Sequence, residues 1–246
     1  MLLEFKQVSK GFGDLPVIRD FSLSLAAGEV VSLVGPSGCG KSTLLRLAAG
    51  VEAPAGGQIT RTFDTDQVGF VFQDVRLLPW MTALDNVLFV LRDRIADRHL
   101  RREKAERALQ QVGLADFSDY KPGQLSGGMR KRVAIARALA VDADLLLFDE
   151  PFSDLDLPLR LRLLEDIGGM LRRGGKSAIY VTHDIREALL LSQRVLVLAA
   201  RPTYIKQTFH LSPGMSKPDL QVIEEQVIGL LGDEIDYTHF AKEKNS

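Results

Sequence analysis

Gly35-Pro36-Ser37-Gly38-Cys39-Gly40-Lys41-Ser42-Thr43 is the stretch on which the reading of the whole chain turns. The run before it, Glu29-Val30-Val31-Ser32-Leu33-Val34, is short, apolar and β-branched, the composition of a buried strand. Behind it, Leu44, Leu45, Leu47, Ala48 and Ala49 favour a helix that closes at Gly50. Strand, glycine-rich turn and helix form the setting in which G-x-x-x-x-G-K-[ST] holds phosphate. Gly35, Gly38 and Gly40 let backbone N–H groups turn inward around an anion, and the helix start adds its positive dipole end. Lys41 reaches the terminal phosphates and Ser42 offers a hydroxyl to Mg²⁺.

The 246 residues suffice for one large α/β domain, or for a core carrying an inserted subdomain. Hydrophobic residues at 46% and charged residues at 26% are ordinary for a soluble globular protein. Lys and Arg total 31 against 32 Asp and Glu, so average charge gives no reason to expect a nucleic-acid partner. The single cysteine, Cys39, lies inside the loop; it excludes an internal disulfide, reads as a small filler and points to a reducing compartment. Met1 to Lys6 carries neither the apolar core nor the cleavage site of a secretory leader, so none is expected. The longest apolar runs, Leu145 to Phe148 and Val195 to Ala200, are strand-length and far short of the ~20 residues of a spanning helix. Work at a membrane would then require a separate membrane partner.

Outward from the loop, residues 2–8 and 17–25 alternate apolar and polar side chains around Gly11-Phe12-Gly13-Asp14, which predicts a small antiparallel sheet joined by that turn. Phe12 is an aromatic on a glycine-flanked loop, either a minor packing residue or a contact for a ligand. Gly56-Gly57 reads as a further turn, and Gln67 to Phe72 as a strand ending at Gln73. Helical periodicity then takes over. Asp74 to Pro79 is a loop, Thr82 with Asp85 forms a capping box, and Leu84, Val87, Leu88 and Leu91 make an apolar stripe. Residues 92–107 hold seven Arg or Lys and four Asp or Glu, the pattern of a solvated helix face that closes near Val112-Gly113.

Leu125-Ser126-Gly127-Gly128-Met129-Arg130 precedes a helix read over Lys131 to Ala140, with Ser126 as its cap and Gly127 and Gly128 allowing a ligand close to the first turn. Ala143 to Glu150 is an apolar strand ending in two carboxylates, at the carboxyl end where α/β sheets bind ligands. Alternation along a strand would split their roles, Asp149 toward Mg²⁺ and Glu150 toward a water molecule. Ser153-Asp154-Leu155-Asp156 is a turn, with Pro158 in the first turn of the next helix. Lys176 to Val181 is another strand, and it delivers Thr182-His183-Asp184 to a helix start; His183 there is either a hydrogen-bonded surface histidine or a second functional group. Val195 to Ala199 and Thr203 to Leu211 read as strands, and Leu220, Ile223, Val227, Leu230 and Leu231 as one face of a final amphipathic helix.

In this order the motifs resemble the ATP-binding-cassette (ABC) family over nearly the whole chain. The phosphate loop resembles its Walker A element, Gln73 its Q-loop glutamine, and Leu125 to Met129 its signature. Leu145 to Asp149 with Glu150 resembles Walker B plus the catalytic base, Ser153 to Asp156 the D-loop, and His183 the switch histidine. The resemblance implies an α/β fold: a P-loop NTPase core (1–73 and 141–200), an N-terminal antiparallel β subdomain within it, an inserted helical subdomain (74–140) and a C-terminal strand and helix extension (201–246). It implies ATP and Mg²⁺ as ligands. Glu150, His183, Gln73 and Lys41 would be the catalytic set, Ser42, Gln73 and Asp149 the metal ligands, and Phe12 the adenine-stacking aromatic. Residues 35–43 would bind nucleotide together with Ser126, Gly127 and Gly128 of a second cassette, identical or paralogous, in a head-to-tail dimer.

Phe72 to Trp80, Met129-Arg130 and Arg201-Pro202 resemble the nitrate, sulfonate and taurine importer branch. That branch implies a peripheral subunit on the cytoplasmic face of the inner membrane, docked on permease subunits near Leu77, Leu78, Pro79, Trp80 and Met81, with a solute-binding protein as an indirect partner; the alternative for this apolar loop is a hydrophobic staple in which Trp80 or Met81 packs on its own helix. Asp154 departs from the small residue usual in the D-loop, and Leu157-Pro158-Leu159 from the usual segment after it. A non-transport ABC ATPase is the alternative. An exporter would be fused to a membrane domain, a translation factor would carry two cassettes, and a repair ATPase would place coiled coils before the signature.

Overall fold

The computed structural model describes residues 1–232 apart from Asp154 and Pro213, and the side chain of Asp66 is also outside the description. The D-loop departure at Asp154 and the end of the C-terminal extension, residues 233–246, therefore lie outside the described residues.

Two sheets build the molecule. The first joins β1 (Leu3–Phe12), β2 (Leu15–Leu25) and β4 (Gly56–Arg61), all antiparallel, in the order β2-β1-β4. Gly11 and Phe12 belong to β1, so the connection is shorter than the expected four-residue turn and only Gly13-Asp14 lie between the strands. Gly13 takes a left-handed backbone, φ 57°, which a glycine adopts without strain. The stretch read as a turn at Gly56-Gly57 opens a third strand instead. Its burial alternates only weakly and it holds one large apolar residue, Ile59, which is why no period-two signal announced it.

The second sheet has the order β5-β6-β7-β3-β8-β9. Its members are β3 (Val30–Val34), β5 (Val68–Val71), β6 (Leu145–Asp149), β7 (Ser177–Thr182), β8 (Arg194–Leu198) and β9 (Ile205–His210). All pairings are parallel except that of β9, an antiparallel edge. Every residue of β3, β6 and β7 is buried, as expected of parallel strands covered on both faces. On this sheet α1 (Lys41–Ala48) packs against β6 and β7, while α6 (Ile185–Leu191) packs against β3, β7 and α5 (Leu157–Gly174). The parallel strands share one direction, so the segments after β3, β5, β6 and β7 all emerge on one side, at the carboxyl ends of the strands.

Between β5 and β6 the chain forms α2 (Ala83–Leu91), α3 (Arg98–Gln111) and α4 (Gly127–Ala140), which pack on one another. Thr82 caps α2 through the Asp85 N–H at 3.0 Å, the capping box read from their spacing. Ser126 accepts the Met129 N–H at 3.2 Å, and α4 accordingly starts at Gly127, one turn before the predicted Lys131. The final helix, α7 (Lys217–Leu231), buries Ile223, Val227 and Leu231 against the sheet flank. No described helix is long and apolar enough to cross a membrane.

Candidate nucleotide site

The phosphate loop hangs between β3 and α1. Gly38 and Gly40 have φ of 72° and 117°, values that permit the inward turn of the backbone and that side-chain-bearing residues rarely adopt. Gly40 is also a close approach, since a Cβ there would lie 2.9 Å from the Val17 Cγ1 and 3.0 Å from the Thr203 Oγ1. Gly35 serves packing rather than φ: its Cβ would meet the Leu198 side chain at 3.0 Å. Lys41 is buried, and its Nζ donates to the Gly35 carbonyl at 2.7 Å and to the Pro36 carbonyl at 2.9 Å. The ammonium thus lies within the loop rather than in solvent.

Asp149 ends β6 and is buried. Burial pushes its carboxyl above the usual carboxylate range, the Ser42 hydroxyl pulls it down, and the neighbouring Glu150 charge raises it again. Ser42 and Asp149 are brought together although 107 positions separate 42 from 149, because α1 packs on β6. Glu150 is not reached by simple alternation. It stands just past the strand in a left-handed backbone with φ 47°, an uncommon conformation for a non-glycine residue, and its N–H donates to the Val181 carbonyl at 3.0 Å. This geometry brings Oε2 of Glu150 to 3.3 Å from Nδ1 of His183, which follows β7.

The hydrogen bond to His183 holds Glu150 below the usual carboxylate range against the opposing effect of burial, and the same bond raises His183 above the ordinary histidine value of 6.5. The His183 contribution to stability is full below 6.5 and is lost as pH rises through its raised folded value; the Glu150 contribution is full above 4.5 and is lost as pH falls through its lowered one. With half of the His183 side chain exposed, the effect on stability is small, but the titration is readable. In an NMR titration of the nucleotide-free protein, His183 is expected to titrate above 6.5, and Glu150→Gln to bring the midpoint down. An unchanged midpoint would show that the two side chains are not paired in solution.

Several groups around the site had no sequence signal. Glu187 is buried beneath His183, where it accepts from the Tyr180 hydroxyl at 2.6 Å and the Thr182 hydroxyl at 2.7 Å. Burial raises its carboxyl. Arg160 pairs with Asp184 at 3.4 Å and lies 3.7 Å from Glu187, which ties α5 to the start of α6 just after His183. Lys131, buried within α4, donates to Ser153 Oγ at 2.7 Å. The spacing of Asp184 and Glu187 hinted at a helix start, but nothing in the sequence placed Glu187 inside.

The other expected residues stand on other elements. Phe12 is 48% exposed at the end of β1, with the Lys10 ammonium 5.2 Å from its ring centre. Gln73 is exposed just after β5. Ser126, Gly127 and Gly128 stand at the start of α4, on the inserted helices. One chain by itself therefore presents the phosphate loop and the signature on different elements.

A family model described as ABC transporter matches residues 18–153, more than half of the chain. The chain belongs to the ABC transporter family. Among its ABC relatives, the aliphatic sulfonates import ATP-binding protein SsuB 1 of Pseudomonas aeruginosa (strain UCBPP-PA14) is 45% identical over 222 residues, covering 85% of this chain and 87% of that protein. The Fe(3+) ions import ATP-binding protein FbpC of Rhizobium etli is 45% identical over 202 residues, 79% of this chain and 57% of that protein. Among solved ABC structures, a dimeric post-hydrolysis state of the ATP-binding cassette MJ0796 bound to ADP and Pi superposes with a TM-score of 0.78 at 31% identity, covering 86% of this chain and 99% of that one.

Proposed function

We propose that this chain is the ATP-hydrolysing subunit of an ABC importer, acting as one half of a head-to-tail pair on separate permease subunits at the cytoplasmic face of a membrane. The observation that carries the reading is the convergence of Lys41, Ser42, Asp149, Glu150 and His183 at the carboxyl ends of the parallel strands. The similarity to import ATP-binding proteins and to a dimeric cassette supports it. In this reading residues 1–73 and 141–200 are the catalytic core, 74–140 the helical signature subdomain and 201–246 an extension.

Each residue then has a task that its position supports. The loop amides and Lys41 bind the phosphate chain, with Lys41 exchanging its contacts to the Gly35 and Pro36 carbonyls for phosphate oxygens. Ser42 and Asp149 offer a hydroxyl and a carboxylate oxygen, hard donors that fit Mg²⁺, with exposed Gln73 as a further ligand on nucleotide binding. No cluster of three or more His, Cys, Asp or Glu able to hold a metal exists among the described residues, so the ion would share the phosphates' oxygens. When bound, Mg²⁺ would neutralise charge on those oxygens. Glu150, kept ionised by His183, accepts a proton from the attacking water, and His183 holds that carboxylate in place. Phe12 stacks on adenine, and Ser126, Gly127 and Gly128 of the second cassette close over the terminal phosphate. The named relatives divide between sulfonates and Fe(3+). A small anion such as nitrate, sulfonate or taurine is the solute class proposed, with selection left to the permease and a solute-binding protein.

The loop after Gln73 supports the permease contact. Asn86 is fully buried and anchors it: its amide accepts the Leu78 N–H at 2.8 Å and donates to the carbonyls of Leu78, Met81 and Thr82 at 3.1, 3.3 and 2.9 Å. Arg137 Nη1 donates to the Arg76 carbonyl at 2.7 Å and holds the other end to α4. On this fixed loop Trp80 is 68% exposed, so it does not staple its own helix, and a rigid exposed Trp is the residue type found at interface centres. Trp80→Ala is expected to leave thermal unfolding and ATP binding of the isolated subunit unchanged while lowering co-purification with the permease and solute uptake in vesicles. Wild-type assembly and uptake by that variant would place the docking surface elsewhere.

A further inference from the structure

The loop between β8 and β9 lies against two structures that the nucleotide must engage together. Thr203 in that loop is fully buried, and its hydroxyl donates to the Cys39 carbonyl inside the phosphate loop. Its backbone joins the other sheet: the Thr203 N–H donates to the Val17 carbonyl at 2.8 Å, and the Arg19 N–H donates to the Thr203 carbonyl at 3.4 Å, a parallel bridge centred on Ile18. The loop is closed on itself by the Ala199 N–H donating to the Tyr204 carbonyl at 3.0 Å. Ile18 belongs to β2, which pairs with β1 in a register that sets Phe12 opposite Leu15. A single residue therefore ties the phosphate loop to the strand pair that carries Phe12, and the bare Gly40 leaves room for its hydroxyl.

We infer that Thr203 is a positioning residue for the nucleotide: it sets the separation between the phosphate loop and the Phe12 face so that both grip one ATP molecule. The inference rests on the nucleotide reading above and deepens it. Two subsites on one rigid frame bind a ligand that spans them better than the same subsites on a loose frame, because the frame's ordering is complete before binding. A ligand that fills only the phosphate loop gains nothing from the alignment.

The test compares ATP with inorganic tripolyphosphate, which has the phosphates and no base, in titrations of the full chain with Mg²⁺. Thr203→Val keeps the branched shape and removes the hydroxyl. It is expected to weaken ATP by about fivefold, the size of one lost internal hydrogen bond, while leaving tripolyphosphate at the wild-type affinity. Thr203→Ser, which restores the donor, should recover ATP binding. In a Phe12→Ala background, Thr203→Val should add no further loss, since the base no longer has a platform to align with. Equal weakening of both ligands would mean that Thr203 only supports the phosphate loop, and additive losses with Phe12→Ala would mean that the two act separately; either overturns the inference. If Thr203→Val folds poorly, Thr203→Ala gives the same comparison, with protein integrity followed by thermal unfolding. Failure of the wild-type chain to bind ATP would instead overturn the nucleotide reading.

Discussion

Glu150→Gln is expected to lower ATP turnover by about 10²–10⁴-fold while nucleotide binding stays close to wild type, the range assigned to a positioned general base. The substitution keeps the size of the side chain and its reach toward His183 Nδ1, now 3.3 Å from the carboxylate, but removes the charge that accepts the proton. It also keeps a flexible polar side chain at a left-handed backbone position, so the strain at φ 47° is little changed. With hydrolysis blocked, the ATP-bound pair of cassettes should accumulate, visible as a dimer on size exclusion with ATP and as a monomer without it. Phosphate release at the wild-type rate would remove Glu150 from the role of base.

Lys41→Ala carries the second large effect, and it acts on binding. The ammonium is buried with its donors on the Gly35 and Pro36 carbonyls, in place to turn to phosphate. A charge-assisted hydrogen bond contributes about 1.5–3 kcal/mol, so its loss should weaken ATP by roughly ten- to a hundredfold or more in a fluorescence titration. Removing it also takes a donor from the Gly35 carbonyl, so the variant should unfold at a lower temperature without nucleotide. The two effects separate on adding ATP, which should raise the unfolding temperature of the wild type and leave that of the variant nearly unmoved. Wild-type affinity in Lys41→Ala would place the phosphates elsewhere.

What could be read in advance was the part governed by neighbours along the chain. Thr82 with Asp85 and Ser126 before two glycines are caps in the structure as read, because a side chain three residues from a free N–H needs no distant partner; Asp156 and Asp184, read only as part of a turn and of a helix start, prove to be caps as well. The phosphate loop was legible for the same reason: its strand, turn and helix are consecutive. The strand at Gly56–Arg61 was not, since its partner β1 lies some fifty residues back and its own alternation is faint. Glu150 was placed on the right strand end by a rule that did not apply to it, because strand alternation stops at Asp149.

The sequence by itself determined the class of fold, the order of the motifs and the chemical groups available, because periodicity, caps and a glycine-rich turn are local properties of the chain. Tertiary structure alone decided which of these groups meet. Asp149 comes to Ser42, and Glu150 to His183, only because β6, β7 and β3 lie in that order in one parallel sheet with α1 across them. Glu187 and Lys131 carry polar groups that the sequence would have left in water and are held inside by partners from other elements, while half-buried Arg160 is held by Asp184. Thr203 reaches the Cys39 carbonyl across a gap from 39 to 203 in the chain. Such pairings depend on strand order and helix crossing, where burial energy summed over the whole core outweighs any local preference, and so no short stretch of residues encodes them.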